Sequence, residues 1–528
     1  MNSQPSDTVS EANEHARQDR VLDFLEHSGF GPAGRATRID THASVVFLGG
    51  DRALKIKRAV RLPFLDYSTL EKRRGACEEE LKVNAGNAPE LYRRVVAITR
   101  GDDGVLEVGG SGAPVEWAVE MARFDEEQTL DHIAQTQQIA PSIASALADA
   151  ILQSHHKAPR ASGESWLASI PEIIDRNTAK FREVRGLDVA AIEQLAACSQ
   201  DHLSKVGALL ERRTARGFVR RCHGDLHLAN IALVDGRPLL FDAIEFDPTI
   251  ATTDVLYDLA FTLMDMIHFN NETVSNAVFN RCLAGMSDEN LDGLVTLPLF
   301  LSMRAAIRAH VLFTKSEQMA DGNAVWGDAK RYFDLACRLI EPKPPMLVAI
   351  GGLSGTGKSV LARALAGIVE PPPGALILRS DVVRKHLFEV NETAALPQEA
   401  YQVETLQRVY DLLSKTAMRV IAQGCSVVLD AAFLREAQRA ALADWARQHH
   451  RRFVGLFLTA DLATRLSRIE RRENDASDAT RDVALQQEAT PLGAVDWHKV
   501  DASGTPEDTL QRSIACLCAA GYPSGDDT

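Results

Sequence analysis

The apolar positions along this chain change period several times, and the changes mark out its elements. Residues 1–18 carry few apolar side chains, which predicts a disordered N-terminus. A helical spacing begins at Val21. Residues 41–59 (THASVVFLGGDRALKIKRA) then alternate apolar and polar, the period of two strands joined at Gly49, Gly50 and Asp51. Residues 70–85 return to the helical period as a charged amphipathic stretch, and strand-like runs follow at 94–99 and 115–123. From 129 to about 210 the spacing is mostly helical. Short apolar runs at 231–234 and 238–241 predict a hairpin set among loops, and helices resume over 253–340. Three prolines within 341–345 predict a stiff extended linker. Beyond it, strand-like runs at 346–350, 375–379, 426–429 and 452–459 alternate with helical stretches, the rhythm of a parallel α/β sheet. The expected organisation is therefore a disordered 1–18, a first domain over 19–340, a linker over 341–345, a second domain over 346–522 and a disordered tail over 523–528.

Composition narrows the function without naming it. The chain has 528 residues, 45% hydrophobic and 25% charged, which suits more than one packed core. A net charge of −14 argues against binding nucleic acid by phosphate neutralisation. The eight cysteines form no C-x-x-C pair and no zinc-like spacing, so they read as reduced thiols. The polar first twenty residues hold no apolar core of a signal peptide, and no run approaches the ~18 apolar residues of a membrane span. A cytoplasmic protein is expected, with no nucleic-acid and no membrane partner.

The densest chemistry lies just past the prolines. Gly352, Ser354, Gly355, Thr356, Gly357, Lys358 and Ser359 fit G-x-x-x-x-G-K-[ST], behind an apolar strand and ahead of a helix. Such a loop turns its N–H groups inward onto phosphate oxygens. Lys358 would reach the β- and γ-phosphates of ATP, and the Ser359 hydroxyl would ligate Mg²⁺. Asp430 closes the apolar run 427–430 at the carboxyl edge of the sheet, where it would serve the Mg²⁺ shell or act only as a turn residue. The stretch Arg379-Ser380-Asp381-Val-Val-Arg384 resembles the S-D-x-x-R of the small-molecule P-loop kinases, the group of gluconate kinase, chloramphenicol phosphotransferase and zeta-toxin-like enzymes. The resemblance implies that Asp381 orients or deprotonates an acceptor hydroxyl and that Arg384 binds substrate or phosphate; an N-capping Ser-Asp pair is the plain alternative. Arg465, Arg468, Arg471 and Arg472, followed by Asp475 and Asp478, resemble that group's lid, with Arg468 and Arg472 placed on the transferring phosphate. A solvated arginine-rich helix face would look the same.

The first half carries a second constellation. His223-Gly-Asp225-Leu-His-Leu-Ala-Asn230 has the H-x-D-x-x-x-x-N spacing of a kinase-like catalytic loop, and Asp242 follows after a short apolar run. Asp225 would take or orient the acceptor's proton, and Asn230 and Asp242 would hold Mg²⁺. The wording H-G-D-L-H-x-x-N, with Phe-Asp-Ala-Ile-Glu-Phe-Asp after it, resembles the aminoglycoside-phosphotransferase-like branch, in which an Asp such as Asp254 or Asp258 braces the loop. That resemblance, over about 20–340, implies a two-lobed fold with ATP held between a small sheet and a helical lobe. Lys55 would meet the α- and β-phosphates, with Lys57 the alternative on the same strand face. Glu80 would be its ion-pair partner, sharing a helical face with Arg73, Cys77 and Asn84, and Trp117–Met121 would form the adenine hinge. The fold class is thus an α+β two-lobed protein-kinase-like domain followed by an α/β P-loop NTPase domain with a parallel sheet. In this order the two domains resemble bacterial bifunctional aminoglycoside phosphotransferase/ATP-binding proteins. That implies an ATP- and Mg²⁺-dependent kinase acting on an unidentified small-molecule acceptor. The other reading makes the first domain a non-catalytic regulatory or binding module.

Overall fold

The structure, a computed structural model, describes residues 5–27, 35–41, 43–62, 65–319, 321–471 and 476–521. The chain divides into two compact units, one of Met1–Ile173 with Gly207–Asp265, the other of Ile174–Val206 with Met266–Thr528.

The first unit is built on a six-stranded antiparallel sheet. Its strand order is Thr37–Asp40, Ser44–Gly49, Arg52–Lys57, Ala113–Ala122, Tyr92–Arg100, Leu106–Val108. Ser44–Gly49 and Arg52–Lys57 form the expected hairpin, turning through Gly50 at φ +60°. Because successive strand side chains point to opposite faces, Leu54 and Ile56 pack with Val21, Leu22 and Leu25 on one side. Ala53 packs with Cys77 and Val119 on the other, the side covered by the helix Leu70–Asn84. Helical segments, the antiparallel hairpin Ile231–Val234 with Arg237–Leu240, and the pair Val219–Arg221 with Thr252–Asp254 make the second lobe. This is the two-lobed protein-kinase-like architecture.

The N-terminus departs from the expected disorder, since a helix runs over Pro5–His27. Its polar sequence conceals how it is held. Gln18 is buried, donating to the Lys57 carbonyl (2.8 Å) and Glu116 Oε2 (2.8 Å) and accepting the Ala59 N–H (2.8 Å). Residues 1–4 and the expected tail at 523–528 lie outside the described residues.

The second unit is centred on a five-stranded parallel sheet in the order Leu376–Arg379, Val427–Asp430, Met346–Gly352, Arg452–Thr459, His498–Asp501. Its central strand is buried along its whole length, as a parallel sheet covered on both faces requires. The compact units do not part at the prolines of 341–345. The chain beyond Asp265 groups with the parallel sheet because side chains from its helices satisfy that sheet's edge. Asn280 Oδ1 accepts the N–H of Ile377 in the edge strand (2.7 Å), and Asn276 Nδ2 donates to the carbonyls of Pro373 and Ala375 (both 3.0 Å). Arg419 adds a bidentate pair with Asp292 (2.7 Å to each oxygen).

One stretch among the described residues, Asn290–Glu317, is long and apolar enough to cross a bilayer, contrary to the expectation of none; 67% of its apolar window is buried inside the fold, where it is core. None of the eight cysteines is joined in a disulfide.

Candidate active sites in the two units

In the first unit, strand alternation turns Lys55 and Lys57 toward the helix Leu70–Asn84. That helix starts where Thr69 Oγ1 accepts the Lys72 N–H (3.3 Å), and it buries Arg73, Cys77, Glu80 and Asn84 on one face. Glu80 therefore meets both lysines, Oε1 at 2.9 Å from Lys55 Nζ and Oε2 at 2.5 Å from Lys57 Nζ. The lysines differ in what they reach next. Lys55 pairs with Asp242, while Lys57, only 2% exposed, pairs with Glu245. Burial alone would lower the pKa of Lys55, but the Asp242 and Glu80 carboxylates outweigh it and hold the ammonium well above the usual lysine range. Burial likewise opposes ionisation of Glu80, and Lys55 and Lys57 reverse that, keeping it a carboxylate.

The loop before the hairpin is stitched down by side chains distant in sequence. Gly224 N–H donates to Asp258 Oδ1 (2.8 Å), whose Oδ2 lies 3.0 Å from His155 Nε2. Leu228 N–H donates to Asp265 Oδ2 (2.9 Å). Of the two aspartates expected as braces, Asp258 holds the loop and Asp254 instead pairs with Arg213 (2.7 and 2.8 Å). Asn230 Nδ2 donates to the Asp225 carbonyl (2.9 Å) and to its Oδ2 (3.2 Å), while the Asp225 side chain stays 39% exposed. The Phe241 N–H donates to the Asn230 carbonyl (3.0 Å), which brings Asp242 alongside. Asp242 sits at φ +61°, a region costly for a non-glycine residue, with its own N–H on Tyr92 Oη (3.1 Å) and the next N–H on Asn84 Oδ1 (2.8 Å). Burial pushes the His223 pKa down; its neutral ring Nε2 donates to the Phe241 carbonyl (2.9 Å). Lys55, Glu80, Asp225, Asn230 and Asp242 thus belong to one connected array.

Trp117–Met121, expected as a hinge, lies inside the strand Ala113–Ala122, where Glu120 is tied to Arg94 (2.8 Å) and Arg52 (3.4 Å). Asp265, Tyr92, His155 and Glu245 carried no expected role in the sequence, and Asn84 was placed only on the face it shares with Glu80.

In the second unit the loop Gly352–Ser359 folds between the central strand and the helix Lys358–Ala366. Gly355 has φ +86°, and a Cβ there would lie 2.5 Å from the Arg465 carbonyl oxygen, so the close turn admits no side chain. Lys358 Nζ folds back onto the carbonyls of Gly352 (2.9 Å) and Leu353 (3.1 Å). Ser359 Oγ donates to Asp430 Oδ2 (2.6 Å), and Arg379 Nε reaches the same oxygen (3.2 Å). A hydroxyl and a carboxylate side by side are the hard oxygen donors that suit Mg²⁺, as are Asn230 and Asp242 in the first unit. Asp381 and Arg384 pair with each other (2.7 Å) one turn apart in the helix Ser380–Leu387; that helix has no side-chain cap bond, so the alternative of a Ser380–Asp381 cap is not seen.

One cavity of about 960 Å³ runs from Gly355, Lys358 and Ser359 past Asp430 to Asp381 and Arg384. Ser354 and Thr356 line it too, and Gln487, unread in the sequence, accepts the Ser354 N–H (2.7 Å). Arg468 borders the cavity and donates to the Gly504 carbonyl (2.9 Å). Arg465, expected in the lid, is instead 1% exposed beneath the loop, donating to the Ser354 carbonyl (2.9 Å) and paired with Glu488. Arg472 lies outside the described residues.

An AAA domain family model (AAA_33) matches residues 347–491. An uncharacterized protein of Mycobacterium tuberculosis (strain H37Rv) is 28% identical over 491 residues, 89% of this chain and 93% of its own, and a Mycobacterium bovis protein gives the same figures. Among solved structures, a choline/ethanolamine kinase family protein from Mesorhizobium loti is 14% identical, covering 61% of this chain and 99% of its own at a TM-score of 0.36. A gluconokinase from Sinorhizobium meliloti 1021 is 19% identical, covering 34% and 94% at a TM-score of 0.24. At those TM-scores the structural likeness adds nothing to the geometry above. The chain thus combines a protein-kinase-like fold with a P-loop domain that matches the AAA domain model.

Proposed function

We propose that the chain is an ATP-dependent phosphotransferase with one nucleotide site in each unit, each moving the γ-phosphoryl group of ATP to a hydroxyl of a small molecule. The observation that carries this reading is the single cavity in which the phosphate loop, the Ser359–Asp430 pair and the Asp381–Arg384 pair face one another. Those are the parts phosphoryl transfer needs: a cradle for phosphate, oxygen donors for a cation and a carboxylate for the incoming hydroxyl. In the first unit the same parts are Lys55 between Glu80 and Asp242, Asn230, and the half-exposed Asp225.

In either site the acceptor oxygen bonds to the γ-phosphorus as the bond from that phosphorus to the β–γ bridging oxygen breaks. ADP leaves, and the hydroxyl proton passes to Asp225 in the first unit or Asp381 in the second. Asn230 and Asp242, or Ser359 and Asp430, would hold Mg²⁺, which would supply positive charge to offset that of the phosphates. Lys55 and Lys358 hold the phosphates, Arg384 keeps Asp381 turned to the acceptor, and Arg468 flanks the phosphoryl group. This domain order supports reading the chain as a protein of the bifunctional aminoglycoside phosphotransferase/ATP-binding type, without making an antibiotic its acceptor.

The test is transfer of phosphate from labelled ATP into a small-molecule extract by wild type, Asp225→Ala and Lys358→Ala. Distinct products should vanish in the two variants. If Asp225→Ala changes nothing while Lys358→Ala abolishes all transfer, the first unit is a binding or regulatory module.

A further inference from the structure

The second lysine of the first unit has no task in the transfer just described, yet it is the more deeply buried of the two. We propose that Lys57 is a positioning residue for the kinase-like site, anchoring Glu80 from behind so that the Lys55–Glu80 pair is set before nucleotide arrives. This rests on the reading that the first unit binds a nucleotide.

The geometry divides the work. Glu80 gives one oxygen to each lysine, Oε1 to Lys55 at 2.9 Å and Oε2 to Lys57 at 2.5 Å. Lys57 Nζ is shared in turn between Glu80 on the helix Leu70–Asn84 and Glu245, three residues beyond Asp242. Glu245 Oε1 also accepts the Tyr67 hydroxyl (3.0 Å), and the Tyr67 ring lies 5.6 Å from Lys57 Nζ. The backbone of Lys57 is fixed as well, its carbonyl accepting Gln18 Nε2 (2.8 Å). A counter-ion serving Glu245 alone would need one contact. Lys57 instead ties the strand, the helix and the segment after Asp242 to one ammonium group.

The consequence concerns Lys55. With both Glu80 and Asp242 as partners, Lys55 must leave the Asp242 carboxylate to meet phosphate oxygens. A glutamate held only by Lys55 could move with it. Glu80, held also by Lys57, stays, and Lys55 pivots about a fixed partner. Pre-set geometry of this kind tightens ligand binding because less ordering is left to be done on association.

The experiment is titration of a Mg²⁺-loaded fluorescent ATP analogue into the full chain carrying Lys358→Ala, so that binding reports the first unit, with thermal melting run in parallel. Lys57→Met alone would leave Glu245 buried without its cation, so it is combined with Glu245→Gln, and Lys57→Arg is the conservative control. The double variant should melt near its parent yet bind the analogue at least about ten-fold more weakly, and Lys57→Arg should stay within a few-fold of the parent. A double variant that binds as tightly as the parent would show that Lys57 only balances Glu245 and overturn the proposal. So would failure of both variants to fold, which makes the role structural. A parent that binds no analogue overturns the nucleotide reading of the first unit, and this inference falls with it.

Discussion

The two proposed nucleotide sites are built from different materials. In the first unit the cation proposed for phosphate, Lys55, lies in an array with Lys57, Glu80, Asp242 and Glu245, buried except for the half-exposed Asp242 and drawn from a strand, a helix and the segment after a hairpin. In the second unit a single loop lines the cavity, and Lys358 rests on carbonyls of that same loop. A site assembled from distant buried charges forms only when the unit has folded, and its members hold the fold as well as the ligand. A site wound from one loop is local, so its side chains can be removed at little cost to stability while its backbone cannot be altered.

The sharpest way to break this contrast is to remove a charge from each. Glu80→Ala should destabilise the first unit by about 3 kcal/mol, because it takes from two buried ammonium groups the carboxylate they share and leaves each with a single carboxylate partner. Lys358→Ala should cost within about 0.5 kcal/mol, since it removes only a lysine lying on its own loop. Chemical denaturation followed for each variant measures both; equal losses would erase the distinction. Next, Gly355→Ala forces a side chain to φ +86° and onto the Arg465 carbonyl. It should weaken nucleotide binding in the second unit by about 100-fold, some 2.7 kcal/mol, and leave the first unit's binding unchanged. Calorimetric titration decides it. Asn84→Ala removes the acceptor of the Ala243 N–H and should cost about 1–2 kcal/mol, with reduced transfer by the first unit only.

A last effect is in pH. Burial holds the His223 pKa below its usual value near 6.5, so around pH 6 the unfolded chain binds more protons than the native one. Stability therefore falls as pH drops through about 6.5 toward the folded pKa, by at most about 1.4 kcal/mol per pH unit. Denaturation of wild type and His223→Gln at pH 7.5 and 5.5 should show a shallower fall in the variant.

The same contrast explains what could be read from the sequence. The phosphate loop is contiguous and sits at a change from strand to helix, so Gly352 to Ser359 was legible together with its place in a parallel sheet. Asp225, Asn230 and Asp242 were legible because they are close along the chain. Glu80 followed from helical phase. The supports were not, because each acts across a long separation and looks like an ordinary polar surface residue. Asp265 reaches back to Leu228, Arg465 lies under Ser354, and Asn280 completes an edge near Ile377. That last contact also moved the boundary, since the prolines at 341–345 mark a stiff connection but say nothing of which helices pack on which sheet. The helix Pro5–His27 was hidden for a related reason: a buried glutamine, Gln18, contributes to holding it, and no apolar pattern announces that.

The central claim is that the chain holds two independent nucleotide sites. Equilibrium dialysis with a non-hydrolysable Mg²⁺–ATP analogue tests it most directly. The account predicts two molecules bound per chain, one remaining in Gly355→Ala and the other in Lys55→Met. One molecule per chain, lost in Gly355→Ala and untouched by Lys55→Met, would contradict it.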